Sequence, residues 1–355
     1  MNIIRPTLLI RKLTAKFNIL RMVNKAQTNN IVFRPHFKTH RSAEIGEWFK
    51  EEGINKITVS SVEMASYFAN HGWQDILIAF PVNLLEIDQI NKLSSKIKLS
   101  LLVESLFSVN FLENNLKHTT DIYLKIDTGY HRTGIASNDI SGIEEILYRI
   151  GISKNLNFLG FLTHAGNTYS AKSKPDIIKI HNESIGQLQV LKSYFESEYP
   201  NIICSIGDTP SCSLAEEFTG VDEIRPGNFV FYDVMQYYLG SCQPEEIAVC
   251  LSCPVVAKHP ERNEIVIYGG AIHLSKDSVP DNDGNQIFGL VVKLNADGWG
   301  PILPDTYVSS LSQEHGIVVV SDHLFDQFNI GETIGILPVH SCLTANLMND
   351  NMAII

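Results

Sequence analysis

One lysine in this chain stands in surroundings that suggest chemistry. Lys38 belongs to the stretch Arg34 to His40 (RPHFKTH), which follows the apolar run Ile31–Phe33 and precedes a segment with helical spacing. Most lysines at the end of a strand are solvated cations. A lysine among aromatic and histidine neighbours can instead be partly desolvated, and its amine can then form a Schiff base with a carbonyl compound. The stretch alone leaves both interpretations open.

A second candidate lies far away in the sequence, in Pro338-Val339-His340-Ser341-Cys342. In an extended segment, residues i and i+2 project to the same face, so we expect His340 and Cys342 to share one metal ion. An imidazole and a thiolate suit zinc better than magnesium or calcium. Two protein ligands also leave positions open, as a catalytic ion requires. The pattern His-x-Cys is weak by itself, and two ordinary structural residues are the alternative.

Three further features suggest a flat, phosphorylated ligand. Gly207 and Thr209 lie in GDTPS, which ends a strand-like run and opens a short helix, so its amides and hydroxyls are candidates for binding phosphate. Gly227 in RPGN lets the backbone approach closely and is a candidate for a second phosphate contact. His164 is a candidate for stacking on a flat ring. Plain turns, and a satisfied structural histidine, are the alternatives.

The elements that must position these residues alternate between strand-like and helical patterns. This alternation predicts parallel pairing, and eight such units favour an α/β fold with a (β/α)8 TIM-type barrel over residues 11–239. An open doubly wound sheet is the competitor, but no Gly-x-Gly-x-x-Gly follows the first strand. The eight predicted strands are Ile31–Lys38, Lys56–Ser61, Asp75–Pro81, Lys98–Ser105, Asp121–Gly129, Asn157–Gly166, Asn201–Thr209 and Glu223–Asp233.

The carboxyl ends of these predicted strands carry an unusual number of polar residues. In such a barrel, catalytic groups come from that edge. Reading the ends in order gives Lys38, Glu104, Asp127 with Arg132, His164, Gly207 to Thr209, and Arg225 to Asn228. After about Leu239 the helical pattern fades and strand-like runs follow one another. We therefore expect a second, all-β domain over residues 240–355, joined by residues 1–10.

Composition limits the class of protein. The chain has 355 residues and a net charge of −11, which argues against nucleic acid as a partner because phosphate binding needs a basic face. No apolar run is as long as a membrane span and no secretory signal is visible, so we expect no membrane partner and a cytoplasmic location. Six cysteines are too few for a disulfide scaffold, and Cys250 and Cys253 read as buried thiols.

Taken together, these residues resemble a known family. The chain is similar to the fold-type III pyridoxal-phosphate enzymes of the D-threonine aldolase and D-serine dehydratase group, relatives of alanine racemase. The matching motifs span most of the chain: Arg34–His40, Asp127–Gly129 with Arg132–Gly134, Thr163–Gly166, Gly207–Thr209, Glu223–Gly227, Glu314–Gly316 and Pro338–Cys342. The resemblance implies a homodimer with an alanine racemase-like barrel and a C-terminal β domain.

The resemblance also assigns roles to single residues. Pyridoxal 5'-phosphate is expected on Lys38, the catalytic base, and zinc on His340 and Cys342, with Mn²⁺ or another divalent cation as the alternative. The implied cofactor-binding residues are Lys38, Arg132, His164, Tyr169, Gly207, Thr209, Arg225, Gly227 and Asn228.

The implied reaction acts on a small β-hydroxy-D-amino acid. Cys342 favours D-serine dehydratase chemistry, because aldolase-like members tend to carry Asp there; retro-aldol cleavage of D-threonine is the alternative. A non-catalytic carrier of pyridoxal phosphate and an amino-acid racemase are two further alternatives. Val339, Gln313 and Ala271–His273 depart from the family pattern, and relatives often add a last strand beyond the metal motif, where few residues remain.

Overall fold

The computed structural model describes residues 3–281 and 283–355. It divides the chain into two compact units. Residues 20–38 and 42–227 form one, which we call the barrel unit, and residues up to 19, 39–41 and 228–355 form the other, the β unit. The division between the two units falls at Gly227/Asn228, whereas the sequence predicts a domain boundary near residue 239. Thr39–Arg41 belong to the β unit, and Lys38 belongs to the barrel unit.

The chain begins with strand β1 (Thr7–Ile10) and helix α1 (Lys12–Thr28), and the parallel strands of the barrel unit follow. Their order is β2-β10-β9-β8-β6-β5-β4-β3, with β7 paired to β6 outside this path. A parallel bridge between His36 and Thr58 closes the remaining seam, which confirms the predicted eight-stranded barrel. The strands are β2 (Val32–Phe33), β3 (Lys56–Val59), β4 (Asp75–Pro81), β5 (Lys98–Val103), β6 (Thr120–Asp127), β7 (Ile135–Ala136), β8 (Leu156–Leu162), β9 (Ile203–Ile206) and β10 (Glu223–Ile224).

The helices of the barrel unit begin where the sequence offers a capping side chain. Ser42, Ser61, Ser105 and Ser173 each accept a backbone N–H at the start of the helix that follows. The helices are α2 (Ala43–Glu51), α3 (Val62–Asn70), α4 (Ile87–Ser94), α5 (Leu106–Asn115), α6 (Ile140–Gly151), α7 (Lys174–Phe195) and α8 (Thr209–Leu214).

Two barrel strands, β2 and β10, are much shorter than the sequence predicted. Each is followed by an Arg-Pro pair, Arg34-Pro35 and Arg225-Pro226. Proline has no N–H to donate to a ladder, so regular pairing ends there. The predictions of strands reaching Lys38 and Asp233 were therefore wrong in length, although His36 still donates its N–H to Pro226 O at 3.0 Å.

The β unit is a separate antiparallel barrel. Strands β11, β12, β17, β16, β15 and β18 pair in that order and return to β11, while β1 and β19 extend the sheet beyond β11. N-terminal residues take part in this sheet, because β1 pairs with β11. The strands are β11 (Val249–His259), β12 (Glu264–Tyr268), β13 (Val279–Pro280), β14 (Gln286–Ile287), β15 (Gly289–Asn295), β16 (Gly298–Leu311), β17 (His315–Val319), β18 (Thr333–Pro338) and β19 (Met352–Ile354).

The β unit has a short last strand, β19, that was not predicted from the few residues after the metal motif. β19 follows the metal motif and runs parallel to β1, with Leu8 opposite Met352 and Ile10 opposite Ile354. The unit also contains the short helices α9 (Val234–Tyr238), α10 (Ala271–Leu274) and α11 (Ser341–Leu347). Cys250 and Cys253 are free, buried thiols of β11. Among the described residues, no helix has the length and apolar character needed to cross a membrane.

The interior of the parallel barrel holds a charged network built around Arg34. Its Nε donates to Glu223 Oε2 at 2.7 Å and its Nη1 to Asp75 Oδ1 at 2.6 Å. Tyr123 and Ser205 also donate to Glu223, at 3.3 and 2.7 Å. Burial alone would lower the pKa of Arg34, but the two carboxylates raise it overall, so the guanidinium stays charged. Arg34 thus links β2 to β10 on one side and to β4 on the other.

A buried histidine of α7 is held in its neutral form. His181 is 3% exposed, and its Nε2 has no hydrogen-bond partner among the described residues. Burial lowers its pKa to about 4, because a charged imidazole there would lose its hydration.

We expect the substitution Arg34→Met to destabilise the protein by about 3–5 kcal/mol, because it leaves the buried Glu223 and the largely buried Asp75 without their main counter-charge. Urea unfolding followed by tryptophan fluorescence measures the loss. The matched control is Lys98→Met: Lys98 lies 4.0 Å from Asp75 and 3.5 Å from Asp121 but is 57% exposed. That change should cost less than about 1 kcal/mol. Equal effects of the two substitutions would contradict the assigned role of Arg34.

His181 should make the protein sensitive to acid. The unfolded chain binds a proton at His181 near pH 6.5, whereas the folded chain does so only near pH 4. The free energy of unfolding should therefore fall, by up to about 3 kcal/mol, as the pH drops through this window. The stability difference between the wild type and His181→Gln should vary with pH accordingly. The stability of the His118→Gln variant, which changes an exposed histidine, should depend on pH as that of the wild type does. A stability difference between the wild type and His181→Gln that does not vary with pH would refute the lowered pKa assigned to His181.

Candidate active site

The turn that carries Lys38 is fastened by the residue before it. Phe37 is fully buried, and its ring centroid lies 4.9 Å from those of Phe49 and Phe68 and 5.0 Å from that of Trp73. The Phe37 N–H also donates to Thr58 O at 2.9 Å. The Lys38 side chain itself is exposed. The backbone of the turn is thus fixed while the side chain is exposed, and the desolvated amine considered from the sequence is not what the structure shows.

The predicted phosphate-binding residues lie where β9 ends. A Cβ on Gly207 would come within 2.9 Å of Arg225 Cβ, so only glycine fits between these two strand ends. Asp208 caps α8 by accepting the N–H of Ser211 at 2.8 Å. Thr209 is buried, its N–H donates to the Tyr169 hydroxyl at 3.3 Å, and its own hydroxyl has no partner among the described residues. A buried hydroxyl without a partner fits a ligand that brings acceptor oxygens.

His164 lies beside this segment. Its Nδ1 is hydrogen-bonded to the carbonyl oxygen of Gly207. Burial lowers the pKa of His164 to about 3, so the ring is neutral. The Tyr169 ring lies 6.4 Å away and that of Tyr130 6.0 Å away. The structure therefore brings His164, Tyr169, Gly207 and Thr209 together, and a neutral imidazole suits contact with a flat aromatic ring.

Arg225 is a second buried cation of the barrel unit. Its Nε donates to Ser205 Oγ at 2.7 Å and its Nη2 to Thr163 O at 2.6 Å. Burial lowers its pKa to about 10, and Glu223 opposes that shift. The guanidinium is thus held rigidly by neutral acceptors. Gly227 follows in the chain, and its predicted contact with the cofactor stays a prediction.

The loop after β6 is shaped by two carboxylates that the sequence analysis placed at the barrel edge. Burial alone would raise the pKa of Asp127, but N–H bonds from the loop, among them those of Gly129 and His131 at 3.0 Å, lower it overall. Glu104 accepts the N–H of Gly134 at 2.6 Å, and Gly134 has φ +110°. These carboxylates position the loop that presents Arg132, whose guanidinium lies 5.1 Å from the Tyr130 ring centroid.

A second unusual lysine, Lys125 of β6, was not predicted from the sequence. It is buried, and its Nζ donates to Ile126 O at 3.1 Å. Burial, together with the nearby cations Arg225 and Arg132, lowers its pKa to about 7. The alternation of side chains along a strand could have identified Lys125 as an interior residue. It lies two positions from Tyr123, which faces the barrel interior, and residues i and i+2 of a strand share a face.

The predicted metal pair lies at the start of α11, in the β unit. His340 is extended, but Cys342 is already in the first turn of the helix, so the prediction of an extended segment was wrong for Cys342. The two side chains nevertheless interact. Burial opposes protonation of His340, but the Asp277 carboxylate at 2.5 Å and Cys342 outweigh it and raise the pKa of the imidazole to about 10. Among the described residues, no group of three or more His, Cys, Asp or Glu side chains is arranged to hold a metal.

The thiol of Cys342 has two polar neighbours in the same unit. Thr39 Oγ1 lies 3.2 Å from Cys342 Sγ, and Asn228 Nδ2 donates to it at 3.6 Å. Both donors can stabilise a thiolate, which is the form that binds a metal. The Asn228 amide thus donates to Cys342, and the contact with the cofactor that the sequence predicts for Asn228 stays a prediction.

A fully buried carboxylate holds the metal motif in place. Asp233 Oδ2 accepts the N–H of Ser341 at 2.9 Å, the Ser341 hydroxyl at 3.1 Å and the Asn228 amide at 2.5 Å. Burial raises the pKa of Asp233, although these donors oppose the shift. Nothing in the sequence marked this residue, because the network joins segments that lie far apart in the chain.

Comparison with known proteins agrees with this geometry. A family model described as "Alanine racemase, N-terminal domain" matches residues 12–234, and one described as "Putative serine dehydratase domain" matches residues 248–354. The chain is 30% identical over 386 residues to a D-serine dehydratase of Dictyostelium discoideum, an alignment covering 98% of this chain and 93% of that protein.

Solved structures share the whole architecture. The D-threo-3-hydroxyaspartate dehydratase of Delftia sp. HT23 superposes with a TM-score of 0.90 at 24% identity, covering 98% of this chain and 93% of that one. A cysteine variant of that enzyme has been solved in a metal-free form. The D-threonine aldolase of Filomicrobium marinum superposes with a TM-score of 0.81 at 18% identity, covering 96% and 89%.

The barrel and the residues at its strand ends define a class, the alanine racemase-like enzymes of fold type III that use pyridoxal phosphate. Within that class, the chain belongs to the serine dehydratase family, whose domain follows the barrel, and it is a pyridoxal-phosphate-dependent lyase.

We expect Lys38→Ala to abolish the visible absorption of covalently held pyridoxal phosphate, because no other amine should replace the turn lysine. Absorbance spectra of the purified variant, after incubation with the cofactor and desalting, measure this. Lys50→Ala, which removes a lysine near Trp73, is the control and should keep the band. A full-strength band in Lys38→Ala would mean that another lysine, with Lys125 the first candidate, carries the cofactor.

Proposed function

We propose that this protein is a zinc-dependent D-serine dehydratase that converts D-serine to pyruvate and ammonia with pyridoxal phosphate. The observation that carries the proposal is the contact of 3.2 Å between Cys342 Sγ and the Thr39 hydroxyl. Thr39 follows Lys38 directly in the chain, so the metal-binding pair is tied to the residue next to the proposed base. The D-serine dehydratase of Dictyostelium discoideum, similar over nearly the whole chain, supports the same substrate.

Bound pyridoxal phosphate supplies an electron sink for the bond that breaks at the substrate Cα. Within the barrel unit, Gly207 and the buried Thr209 hydroxyl would bind its phosphate and the neutral His164 would lie against its ring. These residues fit the group because they present an unpaired hydroxyl, a close backbone approach and an uncharged ring at one edge.

Lys38 is the proposed general base. Its turn is fixed by buried Phe37 while its side chain is exposed, so Nζ can move between the cofactor and the substrate. Nζ takes the proton from Cα and passes it to the hydroxyl, which leaves Cβ as water while a carbon–carbon double bond forms. The resulting enamine becomes an imine, and water hydrolyses it to pyruvate and ammonia.

His340 and Cys342 are the proposed ligands of a divalent cation, and zinc is preferred because one ligand is a thiolate. Such an ion would act as a Lewis acid on the substrate hydroxyl. Two protein ligands leave room for that hydroxyl, and the donors Thr39 and Asn228 favour the thiolate that the ion needs. The metal-free form of the Delftia dehydratase variant supports a metal in that relative.

Retro-aldol cleavage is the second candidate reaction, because a D-threonine aldolase shares the fold. It would act on the same class of substrate but break the Cα–Cβ bond, giving glycine and an aldehyde. Cys342 favours dehydration, since the resemblance associates cysteine at this position with dehydratases. A homodimer in the cytoplasm completes the proposal, in keeping with the resemblance and the acidic composition.

Three D-amino acids should separate the alternatives. We expect pyruvate from D-serine, oxaloacetate from D-threo-3-hydroxyaspartate at a different rate, and no glycine from D-threonine. Coupled keto-acid assays and glycine analysis measure the products. Glycine plus aldehyde from D-threonine would establish the aldolase reaction. Interconversion of enantiomers would establish a racemase. No turnover in the metal- and cofactor-loaded protein would establish a carrier.

Cys342→Ala should lower both bound zinc and dehydratase turnover by at least about tenfold, because it removes one of two metal ligands. The absorption band of the cofactor should remain. Cys253→Ala, which removes a buried thiol of β11, should change neither quantity. Unchanged zinc content in Cys342→Ala would overturn the metal half of the proposal.

A further inference from the structure

A carboxylate outside the His-x-Cys motif contacts the proposed metal ligand. Asp277 Oδ2 lies 2.5 Å from Nδ1 of His340. Both residues belong to the β unit and are separated by more than sixty positions in the chain. The side chains are 39% and 32% exposed, so water partly screens the pair but does not separate it.

The loop that carries Asp277 is constrained at several points. Ser275 adopts φ +69°, a conformation that side-chain-bearing residues rarely take, and its hydroxyl accepts the Asp277 N–H at 3.2 Å. Just before it, Leu274 O accepts the Thr344 hydroxyl at 3.3 Å. Thr344 lies in α11, the helix that His340 caps. The loop with Asp277 and the helix with the metal pair are therefore fastened together.

This geometry decides which ring nitrogen is available to a metal. A metal binds the imidazole only after one of its two ring protons has left, and a carboxylate at Nδ1 holds the remaining proton there. The lone pair is then on Nε2, the nitrogen that Asp277 does not contact. Without the carboxylate, the proton could reside on either ring nitrogen.

We propose that Asp277 is the positioning residue of the metal site: it fixes the proton of His340 on Nδ1 and turns Nε2 toward the ion. This inference rests on the proposed function, since it concerns the same cation. It assigns Asp277 no contact with substrate, and it adds a residue that the His-x-Cys motif does not contain.

The test measures metal binding directly. Wild type, Asp277→Asn and Asp277→Ala, each loaded with pyridoxal phosphate, are stripped of metal and titrated with Co²⁺, whose thiolate complex absorbs visibly. We expect the affinity for Co²⁺ to fall about 10–100-fold in both variants, and more in Asp277→Ala. The control is Asp326→Asn, which removes the same charge from a fully exposed site of the β unit and should bind Co²⁺ like the wild type.

A second readout separates positioning from general loosening. In the Co²⁺-loaded wild type, the N–H of a ligated imidazole should give a paramagnetically shifted proton signal that exchanges slowly with D₂O, because Asp277 protects it. The signal should be lost or exchange rapidly in Asp277→Ala. Thermal unfolding of the metal-free proteins checks that the variants fold like the wild type.

The outcomes distinguish this inference from the proposed function. If Co²⁺ binds the wild type and is lost in Cys342→Ala, but Asp277→Asn and Asp277→Ala bind it as tightly as the wild type, the role of Asp277 is refuted and the metal site stands. If the wild type binds no Co²⁺, or Cys342→Ala binds it equally well, the proposed metal site fails and the inference fails with it.

Discussion

The buried ion pairs of Arg34 are the interaction on which the barrel unit depends. A parallel barrel must close between its first strand and its neighbours, and here that strand has only two residues in regular pairing. Arg34 compensates by reaching Glu223 on one side and Asp75 on the other. Since a buried charge is costly unless it is paired, the three groups constrain one another's positions. Four residues after Arg34 the chain reaches Lys38, so the closure of the barrel also fixes the start of the site.

The β unit uses carboxylates for a comparable purpose. Asp233 is fully buried and binds the backbone and hydroxyl of Ser341, and Asp277 binds the imidazole of His340. One carboxylate therefore sets where the metal motif lies and the other sets how its histidine is oriented. Neither is adjacent to the motif in sequence. A site built in this way depends on long-range folding, and so a short motif such as His-x-Cys is a weak indicator until the fold is known.

The sequence predicted the architecture well, and its errors have local physical causes. Alternation of apolar runs and helical spacing identified all eight barrel strands. Strand length was overestimated at β2 and β10 because proline ends the ladder while the chain remains extended. The extended form expected for Cys342 was replaced by a helical turn, which Asp233 stabilises by accepting the Ser341 N–H. Strand β19 was missed because three residues carry too little pattern to be recognised.

The site was predictable only in part. Lys38, His340 and Cys342 could be predicted because their residue types are informative at their positions in a recognisable family pattern, and their roles stay predictions. Lys125, Asp233 and Asp277 were not, since lysine and aspartate are common. Burial makes Lys125 and Asp233 unusual, and the contact with His340 makes Asp277 unusual. Burial of a single polar residue is decided by which distant segments pack against it, and no local pattern contains that information.

The pairing of β1 has a consequence for the order in which the chain can fold during synthesis. Thr7 is paired with Ser252 and Leu8 with Met352, so the first strand has no partner until the ribosome has made β11, and its second partner, β19, follows later still. The parallel barrel, whose strands all lie before residue 228, can form in the meantime. Leu8 and Ile10 therefore belong to an unpaired strand until β11 is made. In a nascent chain that stalls before β11, their apolar side chains would be accessible to chaperones.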